Sequence, residues 1–359
     1  MRLPSFVLAV VAVTATLGCG STNEATPYSD AAVDATSDTS PVDATNDVVD
    51  APDAEPTPDA GPPPDGRHWT RATNAAQFTP RVGHTSVVFG GKMWVIAGYQ
   101  SSPSFKFVND VWSSTDGVTW AQVTAAAAFP ARGHHTSVVF GGKMWVIGGD
   151  AGASPFFADV WSSSDGVTWT QATAAAAFPA RRAHTSAVFA GKMWVISGEP
   201  SASGELKDAW SSTDGTAWTA ATTNAAFSGK DLFTTLAFKN ELWNLVGDSN
   251  GSYTNEVWHS ADGATWAQTT TQPLLAIREA HSSVVLDDSM WILGGFGPSA
   301  SRTNDVLRSS DGTNWTTVTT TAAFSARAGH TSVVYGNTMW VIGGNAAPGG
   351  YMNDVWYAD

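Results

Sequence analysis

The 359-residue chain contains a single cysteine, Cys19, so no intrachain disulfide can form. Basic residues are also scarce: 18 lysines and arginines stand against 32 aspartates and glutamates, for a formal net charge of −14. Because binding to a phosphate backbone depends on clustered cations, we expect no nucleic-acid partner. The apolar run at residues 6–17 is too short to favour a membrane-spanning helix.

Residues 1–19 are instead arranged like a secretory signal, with one cation at Arg2, the apolar run and small residues around Cys19. The stretch TLGC, ending at Cys19, resembles the lipobox of bacterial lipoproteins, in which the cysteine is lipidated and becomes the new N-terminus. The resemblance implies an exported protein that is lipid-anchored in the bacterial envelope, at the outer membrane or cell surface. An ordinary cleaved signal with an incidental cysteine is the alternative.

Residues 20–66 contain eleven acidic residues and no lysine or arginine. They are built from Asp, Ala, Thr and Pro, and too few large apolar side chains are present to offset the entropy of ordering the segment. We therefore expect a disordered, self-repelling tether. Beyond it the chain holds 21 acidic and 17 basic residues, so the overall charge says little about the folded part.

The rest of the chain consists of a repeat of 48 to 51 residues. Each of six units has an apolar segment such as TSVVF, a short turn, a second segment such as KMWVI, a variable loop, DVWSS, an Asp-Gly turn and a last segment containing TW. Such runs separated by tight turns predict a four-stranded antiparallel meander per unit. The unit anchors are His84, His135, His184, Phe233, His281 and His330.

The 17 tryptophans support this division. Six fall in the second strands, five in the third and six in the fourth, with none left over. A ring that recurs once per unit is most simply a packing element between neighbouring sheets. We therefore predict that the tryptophans are core residues rather than sugar-stacking platforms.

The first and last units are incomplete in complementary ways. The last unit ends after its third strand, at NDVWYAD, whereas residues 68–73 form a fourth strand with no unit before it. Pairing the two closes a ring without open sheet edges. We predict an all-β domain at residues 67–359, a six-bladed β-propeller of four-stranded antiparallel blades whose last blade is closed by residues 68–73.

The segments GGKMWVIGG (141–149) and NDVW (109–112) resemble the kelch repeat, whose family forms β-propellers. The turn SSTDGVTW (113–120) is similar to a shortened Asp box of the sialidase type. Both motifs specify architecture well and chemistry poorly.

Strand direction alternates, so the long, variable connections between second and third strands and between successive units lie on one face. Binding residues concentrate on variable loops held by a rigid scaffold, so we place any site on this face. Its exposed aromatic residues could form a stacking or partner-protein patch. They are Phe105, Phe107, Phe156, Phe157, Phe296 and Tyr351.

Two sets of polar residues recur at fixed positions on this face. A cation three residues before each anchor is matched by an acid at the start of each third strand, and equal numbers at fixed spacing favour a structural ion-pair network. The same reasoning assigns the anchor histidines to hydrogen bonds between blades rather than to a metal. The pairs expected are Arg81 with Asp110, Arg132 with Asp159, Arg181 with Asp208, Lys230 with Glu256, Arg278 with Asp305 and Arg327 with Asp354.

Residues that depart from the repeat are the candidate ligand-binding residues. After the second-strand glycine, units 2, 3 and 4 carry carboxylates, and two residues before the anchor, units 3, 4 and 5 carry charges. Solvated loop charges are one interpretation; a polar-ligand site, or a Ca²⁺ site using Asp150, Glu199, Asp248 and Asp231, is the sharper hypothesis. The full candidate set is Asp150, Arg182, Glu199, Asp231, Asp248 and Glu279.

The sequence favours a non-catalytic recognition or scaffold protein that binds a glycan or an envelope or extracellular protein. The alternative is a carbohydrate-active enzyme, because the sialic acid mutarotases are also six-bladed kelch-like propellers. Resemblance to them implies acid/base residues at the channel mouth, a role open to Arg182, Glu199, Asp231 or Glu279. No residue is assigned as catalytic, and no resident cofactor is predicted apart from the Ca²⁺ hypothesis.

Overall fold

The computed structural model describes residues 65–359, apart from 103, 203, 274, 299–300 and 347–349. The signal, Cys19 and nearly all of the acidic tether lie outside the described residues. The described part is all-β, with six four-stranded antiparallel blades arranged as a propeller. None of the described residues forms a helix long and apolar enough to cross a membrane.

The first three blades follow the chain order of the repeat, each strand pairing with the next. Blade 1 contains β2 (Thr85–Phe89), β3 (Lys92–Gln100), β4 (Lys106–Ser114) and β5 (Ala121–Thr124). Blade 2 contains β6 (Thr136–Phe140), β7 (Lys143–Ile147), β8 (Val160–Ser163) and β9 (Thr170–Thr173). Blade 3 contains β11 (Thr185–Phe189), β12 (Lys192–Ile196), β14 (Ala209–Ser212) and β15 (Thr219–Thr222), with the short pair β10 (Arg181–Arg182) and β13 (Glu199–Pro200) at its rim.

Blades 4 and 5 repeat this plan, and blade 6 combines the two ends of the domain. Blade 4 contains β16 (Thr234–Phe238), β17 (Glu241–Ser249), β18 (Ser252–Ser260) and β19 (Ala267–Thr269). Blade 5 contains β20 (Ser282–Leu286), β21 (Ser289–Gly297), β22 (Ser301–Ser309) and β23 (Thr316–Thr319). Blade 6 contains β25 (Thr331–Tyr335), β26 (Thr338–Ala346), β27 (Gly350–Ala358) and β1 (Trp69–Thr73), with the short β24 (Arg327–Ala328) beside β26.

The predicted closure of the ring is confirmed. Strand β1 pairs antiparallel with β27, matching Trp69 with Ala358 and Arg71 with Trp356. Trp69 is buried and lies edge-on to Phe324, with ring centroids 5.0 Å apart. The N-terminal segment therefore supplies the fourth strand of the last blade and covers its open edge.

The tryptophans join neighbouring blades, as predicted. Trp145, at 5 % exposure, packs against the Asp-Gly turn of the next blade, where a Cβ on Gly215 would lie 2.0 Å from its ring. The same contact recurs around the ring, including Trp291 against Gly66 beside the closing strand. The second- and fourth-strand tryptophans are buried, whereas the five third-strand tryptophans are half-buried. Glycine is needed in these turns because its φ is positive and the facing indole leaves no room for a side chain.

Candidate functional site

The two rows of residues that depart from the repeat are cross-strand partners. In every blade, the residue two positions before the anchor pairs with the residue after the second-strand glycine. Both rows therefore lie at one level on the face that carries the long loops, which we call the rim. The six rim pairs are Val82 with Tyr99, Gly133 with Asp150, Arg182 with Glu199, Asp231 with Asp248, Glu279 with Phe296 and Ala328 with Asn345.

A chain of backbone hydrogen bonds holds the rim pairs in place. In blades 2 to 6 the residue just before the anchor donates its N–H to the carbonyl of its counterpart in the preceding blade, as from His134 to Gly83 at 3.1 Å and from Leu232 to Ala183 at 3.2 Å. All six of these residues have a positive φ, although four are not glycine. The sequence pattern does not predict this left-handed conformation. The members are Gly83, His134, Ala183, Leu232, Ala280 and Gly329.

The ion-pair network beneath the rim is confirmed in all six blades. Arg132, for example, donates from both Nη atoms to Asp159, at 2.7 and 2.8 Å, and also to the carbonyl of Gly148. Among these six pairs, only that of Lys230 and Glu256 contains a lysine, with the charged atoms 3.2 Å apart. The cations are almost fully buried. They are therefore satisfied inside the fold and do not form an anion site.

Four of the five anchor histidines bond between blades, as predicted. His135 lies 3.1 Å from the hydroxyl of Thr85 in the preceding blade, and His184, His281 and His84 make the same contact with Thr136, Thr234 and Thr331. The fifth, His330, makes no such hydrogen bond to the preceding blade within the described residues. Burial, followed by the nearby arginine, lowers the pKa of both His84 and His330 to about 3, so both rings are neutral.

Asp150, Arg182 and Glu199 form one charged group on the rim of blades 2 and 3. Asp150 lies 2.6 Å from Nδ1 of His134 and 3.9 Å from Arg182, whose Nε donates to Glu199 at 2.8 Å. Burial would raise the pKa of Asp150, but His134 and the amide of Gly152 hold it below its usual value. These two carboxylates are thus largely neutralised by neighbouring cations and donors.

Asp231 and Asp248 form a second group, together with Glu205. One carboxylate oxygen from each lies within 4.8 Å of the others. Asp231 and Asp248 are rim partners of blade 4, and each donates its backbone N–H to the carbonyl of the other. Glu205 reaches them from the loop of blade 3, where it accepts a hydrogen bond from the amide of Asn250 at 2.6 Å. We call these three residues the carboxylate cluster.

The carboxyl groups of the carboxylate cluster have raised pKa values. Burial, together with neighbouring carboxylates, raises the pKa of Asp231 well above its usual value. Burial also raises the pKa of Asp248, and it raises that of Glu205 to about 7. Glu279, on the adjoining rim of blade 5, has a pKa of about 8 for the same reason. Several acids therefore share a site that disfavours their charged forms.

Gly229 explains how Glu205 reaches the cluster. A Cβ at this position would lie 2.7 Å from the carbonyl oxygen of Glu205, so only glycine lets the blade 3 loop approach. Blades 2, 3 and 6 carry alanine at the equivalent position, just before the cation of the ion pair. The change to glycine is visible in the sequence, but its consequence depends on a loop from another blade.

Of the six loop aromatic residues expected to be exposed, only Phe105 is; the other five are half-buried. Three of the six, Phe105, Phe107 and Tyr351, group around Tyr99 on the side of the rim opposite the carboxylate cluster. Tyr99 contacts Phe105, Phe107 and Tyr351, with ring centroids 5.5, 5.2 and 5.8 Å apart. Gly133 and Gly152 leave space for these rings, since a Cβ at either would lie 2.8 Å from one. Phe105 is 61 % exposed, while Tyr99 is buried. We call Tyr99, Phe105, Phe107 and Tyr351 the aromatic cluster.

The other aromatic residues cover charged groups or lie beside the carboxylate cluster. Phe156 lies 4.7 Å from the guanidinium of Arg182, and Phe157 lies 4.4 Å from that of Arg132. Phe296 packs near Tyr253 and Arg302. These three rings are therefore engaged in cation–π or ring contacts.

The structure thus divides the six candidate residues among the sites. Asp231 and Asp248 come together, Glu279 adjoins them, and Asp150, Arg182 and Glu199 form the separate group. A Ca²⁺ site made of Asp150, Glu199, Asp248 and Asp231 is not what the geometry assembles, because Asp150 and Glu199 are already paired with His134 and Arg182. The repeat pattern does not mark Glu205 or His134. Neither lies two residues before an anchor or directly after a second-strand glycine.

The family comparison agrees with the architecture. The model of the KLHDC2/KLHL20/DRC7 Kelch-repeats domain matches residues 64–247, just over half of the chain. No curated protein matches the sequence significantly. The repeat motifs, the six blades and this match lead to one conclusion: the chain belongs to the kelch-repeat β-propeller family.

Proposed function

We propose that this protein is a non-catalytic recognition module whose propeller binds a partner protein through the aromatic cluster. Kelch propellers commonly serve as protein-interaction scaffolds. The observation that carries the proposal is the position of Phe105, a 61 % exposed ring that is supported on its inner side by Tyr99 and Phe107. Aromatic anchors over a rigid base are typical of interaction hot spots.

The geometry of the rings favours a protein over a glycan. Phe105 and Phe107 meet edge-to-face, with an interplanar angle of 89°. Sugar stacking needs an open, flat ring face, whereas a side chain of a partner can pack against rings at several angles. The aromatic cluster therefore fits an apolar side chain of an envelope or extracellular protein better than a pyranose ring.

We further propose that Cys19 is lipidated and tethers the propeller to the outer membrane or cell surface. The support is the sequence alone: the lipobox-like TLGC and the acidic segment 20–66 that follows it. A tether of this length spans roughly 40 Å as a coil and up to roughly 145 Å when extended. Labelling with an alkyne fatty acid should tag the wild-type chain and leave Cys19→Ser untagged; equal labelling of both would refute the lipid anchor.

Binding is tested by comparing the full chain with Phe105→Ser, and with Val118→Ser as a matched control on a tight turn of the opposite face, where Val118 is 46 % exposed. A protein crosslinked at the cell surface, then purified, should bind wild type and control alike by calorimetry. Its affinity for Phe105→Ser should fall by about tenfold or more. Unchanged affinity, or a glycan-array hit that depends on Phe105, would overturn the protein-binding proposal.

One observation favours a second candidate, a carbohydrate-active enzyme of the sialic acid mutarotase type. The pKa values of Glu205 and Glu279, about 7 and about 8, lie where a general acid/base works at neutral pH. Against it, Arg182 is held by Glu199 and covered by Phe156, away from these acids. NMR of freshly dissolved sialic acid would decide. If wild type accelerates the mutarotation and Glu279→Gln does not, the protein is an enzyme.

A further inference from the structure

We propose that the carboxylate cluster, Glu205, Asp231 and Asp248, is a Ca²⁺ site that links the rims of blades 3 and 4. One oxygen from each of the three residues lies within 4.8 Å of the others. Oxygens at such spacing can share one Ca²⁺, because Ca–O distances of about 2.3–2.6 Å place ligands on opposite sides of the ion about 5 Å apart. The shorter Mg–O distance of about 2.1 Å fits only a tighter group.

Two buried oxygens of the cluster point independently to a ligand. Oδ1 of Asp231 and Oε2 of Glu205 are inaccessible to solvent and have no hydrogen-bond partner among the residues that the structure describes. Asp231 as a whole is only 8 % exposed. A buried carboxylate oxygen without a donor is costly, and a cation would satisfy it without any rearrangement of the backbone.

Two further oxygens of the cluster are held in place by backbone amides. Oε1 of Glu205 accepts from the N–H of Asn250, and Oδ1 of Asp248 accepts from the N–H of Gly251, both at 2.6 Å. These bonds fix two of the carboxylates and leave their second oxygens for a ligand. Such support from a second layer of donors is characteristic of built metal sites.

The cations around the cluster are already engaged. The amino group of Lys230 lies 3.2 Å from Glu256, and Arg182 pairs with Glu199. Glu279 adds a further buried carboxylate on the blade 5 side. Within the described part of the chain, the carboxylate oxygens of the cluster therefore lack a compensating side-chain cation, and an all-oxygen, loop-based site suits Ca²⁺ rather than a transition metal.

The test is calorimetric titration of the full chain with CaCl₂ alone, and with MgCl₂ alone as the second arm. Binding of Ca²⁺ should give a measurable heat and raise the melting temperature by several degrees. The titration extends to about 10 mM Ca²⁺ to cover weak extracellular-type sites. Asp231→Asn should bind Ca²⁺ at least tenfold more weakly while melting no lower than wild type without Ca²⁺. The isosteric amide is neutral at a place where burial disfavours a charged carboxylate, so we expect this variant to fold.

Asp288→Asn is the matched control, because it removes one negative charge from an exposed site paired only with Lys239. It should bind Ca²⁺ like wild type. Tb³⁺ luminescence gives an independent readout: Tyr253, the cross-strand partner of Asp248, should sensitise bound Tb³⁺, and Ca²⁺ should displace it. Absence of heat and of a thermal shift in wild type, an equal response in Asp231→Asn, or preference for Mg²⁺ would overturn the proposal.

This inference does not depend on partner binding. Phe105→Ser should leave Ca²⁺ binding unchanged, because the aromatic cluster lies on blades 1 and 6. Loss of Ca²⁺ binding in Asp231→Asn can therefore be separated from loss of partner binding in Phe105→Ser.

Discussion

The anchor histidine, which directly precedes the first strand of five blades, is buried in each of them, with at most 1 % exposure. Blade 4 replaces it with Phe233, which is 2 % exposed and contacts the second-strand glycine in the same way. The fold therefore accommodates a phenylalanine at this place, although phenylalanine cannot make the hydrogen bond to the preceding blade. The histidine nevertheless brings a dependence on pH that phenylalanine does not.

The sign of that dependence follows from the lowered pKa of His330, about 3 in the folded chain against about 6.5 when unfolded. Between these values the unfolded state binds a proton that the folded state excludes, so the contribution of His330 to stability is complete above pH 6.5 and falls as the pH falls towards 3.

His330→Phe should therefore lose less stability in acid than wild type. The difference in slope should approach about 1.4 kcal/mol per pH unit between pH 6 and pH 4. Urea unfolding across this range measures it, with exposed His68→Phe as the control that should follow wild type. Parallel curves for wild type and His330→Phe would show that this ring is not held neutral by burial.

At the scale of the element, two consecutive residues with positive φ interrupt the second strand in blades 1, 4, 5 and 6 and directly follow it in blades 2 and 3. The first of these is glycine in three blades and Ala97, Ser197 or Val246 in the others, with φ of 56, 54 and 43°. The three blades without glycine at the first position therefore keep the same backbone conformation there, with some strain. The second is always glycine, because the chain before the anchor passes close by.

Gly149→Ala tests this distinction. A Cβ at Gly149 would lie 2.6 Å from the carbonyl of Gly133 and 2.7 Å from Cβ of His135, whereas one at Gly142 would meet nothing within 4 Å. Both glycines have positive φ. In urea unfolding we expect a loss of about 1–2 kcal/mol for Gly142→Ala from backbone strain alone, and roughly 2–5 kcal/mol for Gly149→Ala from strain plus the clash. Equal losses would contradict the close-approach argument.

At the scale of the whole molecule, stability depends on closing the ring. Strand β1 buries Trp69 against Phe324 and pairs along β27, while Gly66 receives Trp291 from blade 5. Neighbouring blades share every hydrophobic core, since residues of adjacent sheets interdigitate in each one. A gap at one blade therefore exposes both a sheet edge and a core face.

Deletion of residues 65–73 from the full chain should lower the melting temperature sharply and promote aggregation through the uncovered edge of β27. Loss of the buried Trp69 alone is worth about 3–5 kcal/mol. Circular dichroism melting with size-exclusion chromatography measures both effects. The control is a deletion of equal length at residues 44–52 of the acidic segment, which should behave like wild type; similar melting of the two deletions would contradict closure by β1.

The number of blades, their strand order and the closing strand could be predicted because they depend on local and repeated signals. Asp-Gly turns join the third and fourth strands of blades 1 to 5, and six second strands require six fourth strands. The ion pairs could be predicted for the same reason, since a cation and an acid recur in every unit at the positions of Arg132 and Asp159. Repetition converts a long-range contact into a pattern that is visible along the chain.

The carboxylate cluster could not be predicted in full because it depends on residues that are not repeated. Glu205 lies in a variable loop of blade 3, and it reaches Asp231 only because Gly229 lets that loop approach blade 4. Likewise, Asp150 looks like a free carboxylate in the sequence, but His134 turns towards it from a left-handed backbone conformation. The sequence by itself determined the propeller, whose contacts follow the repeat, whereas only the tertiary structure decided which side chains converge, because neighbouring loops of different blades meet in space without any fixed spacing in the chain.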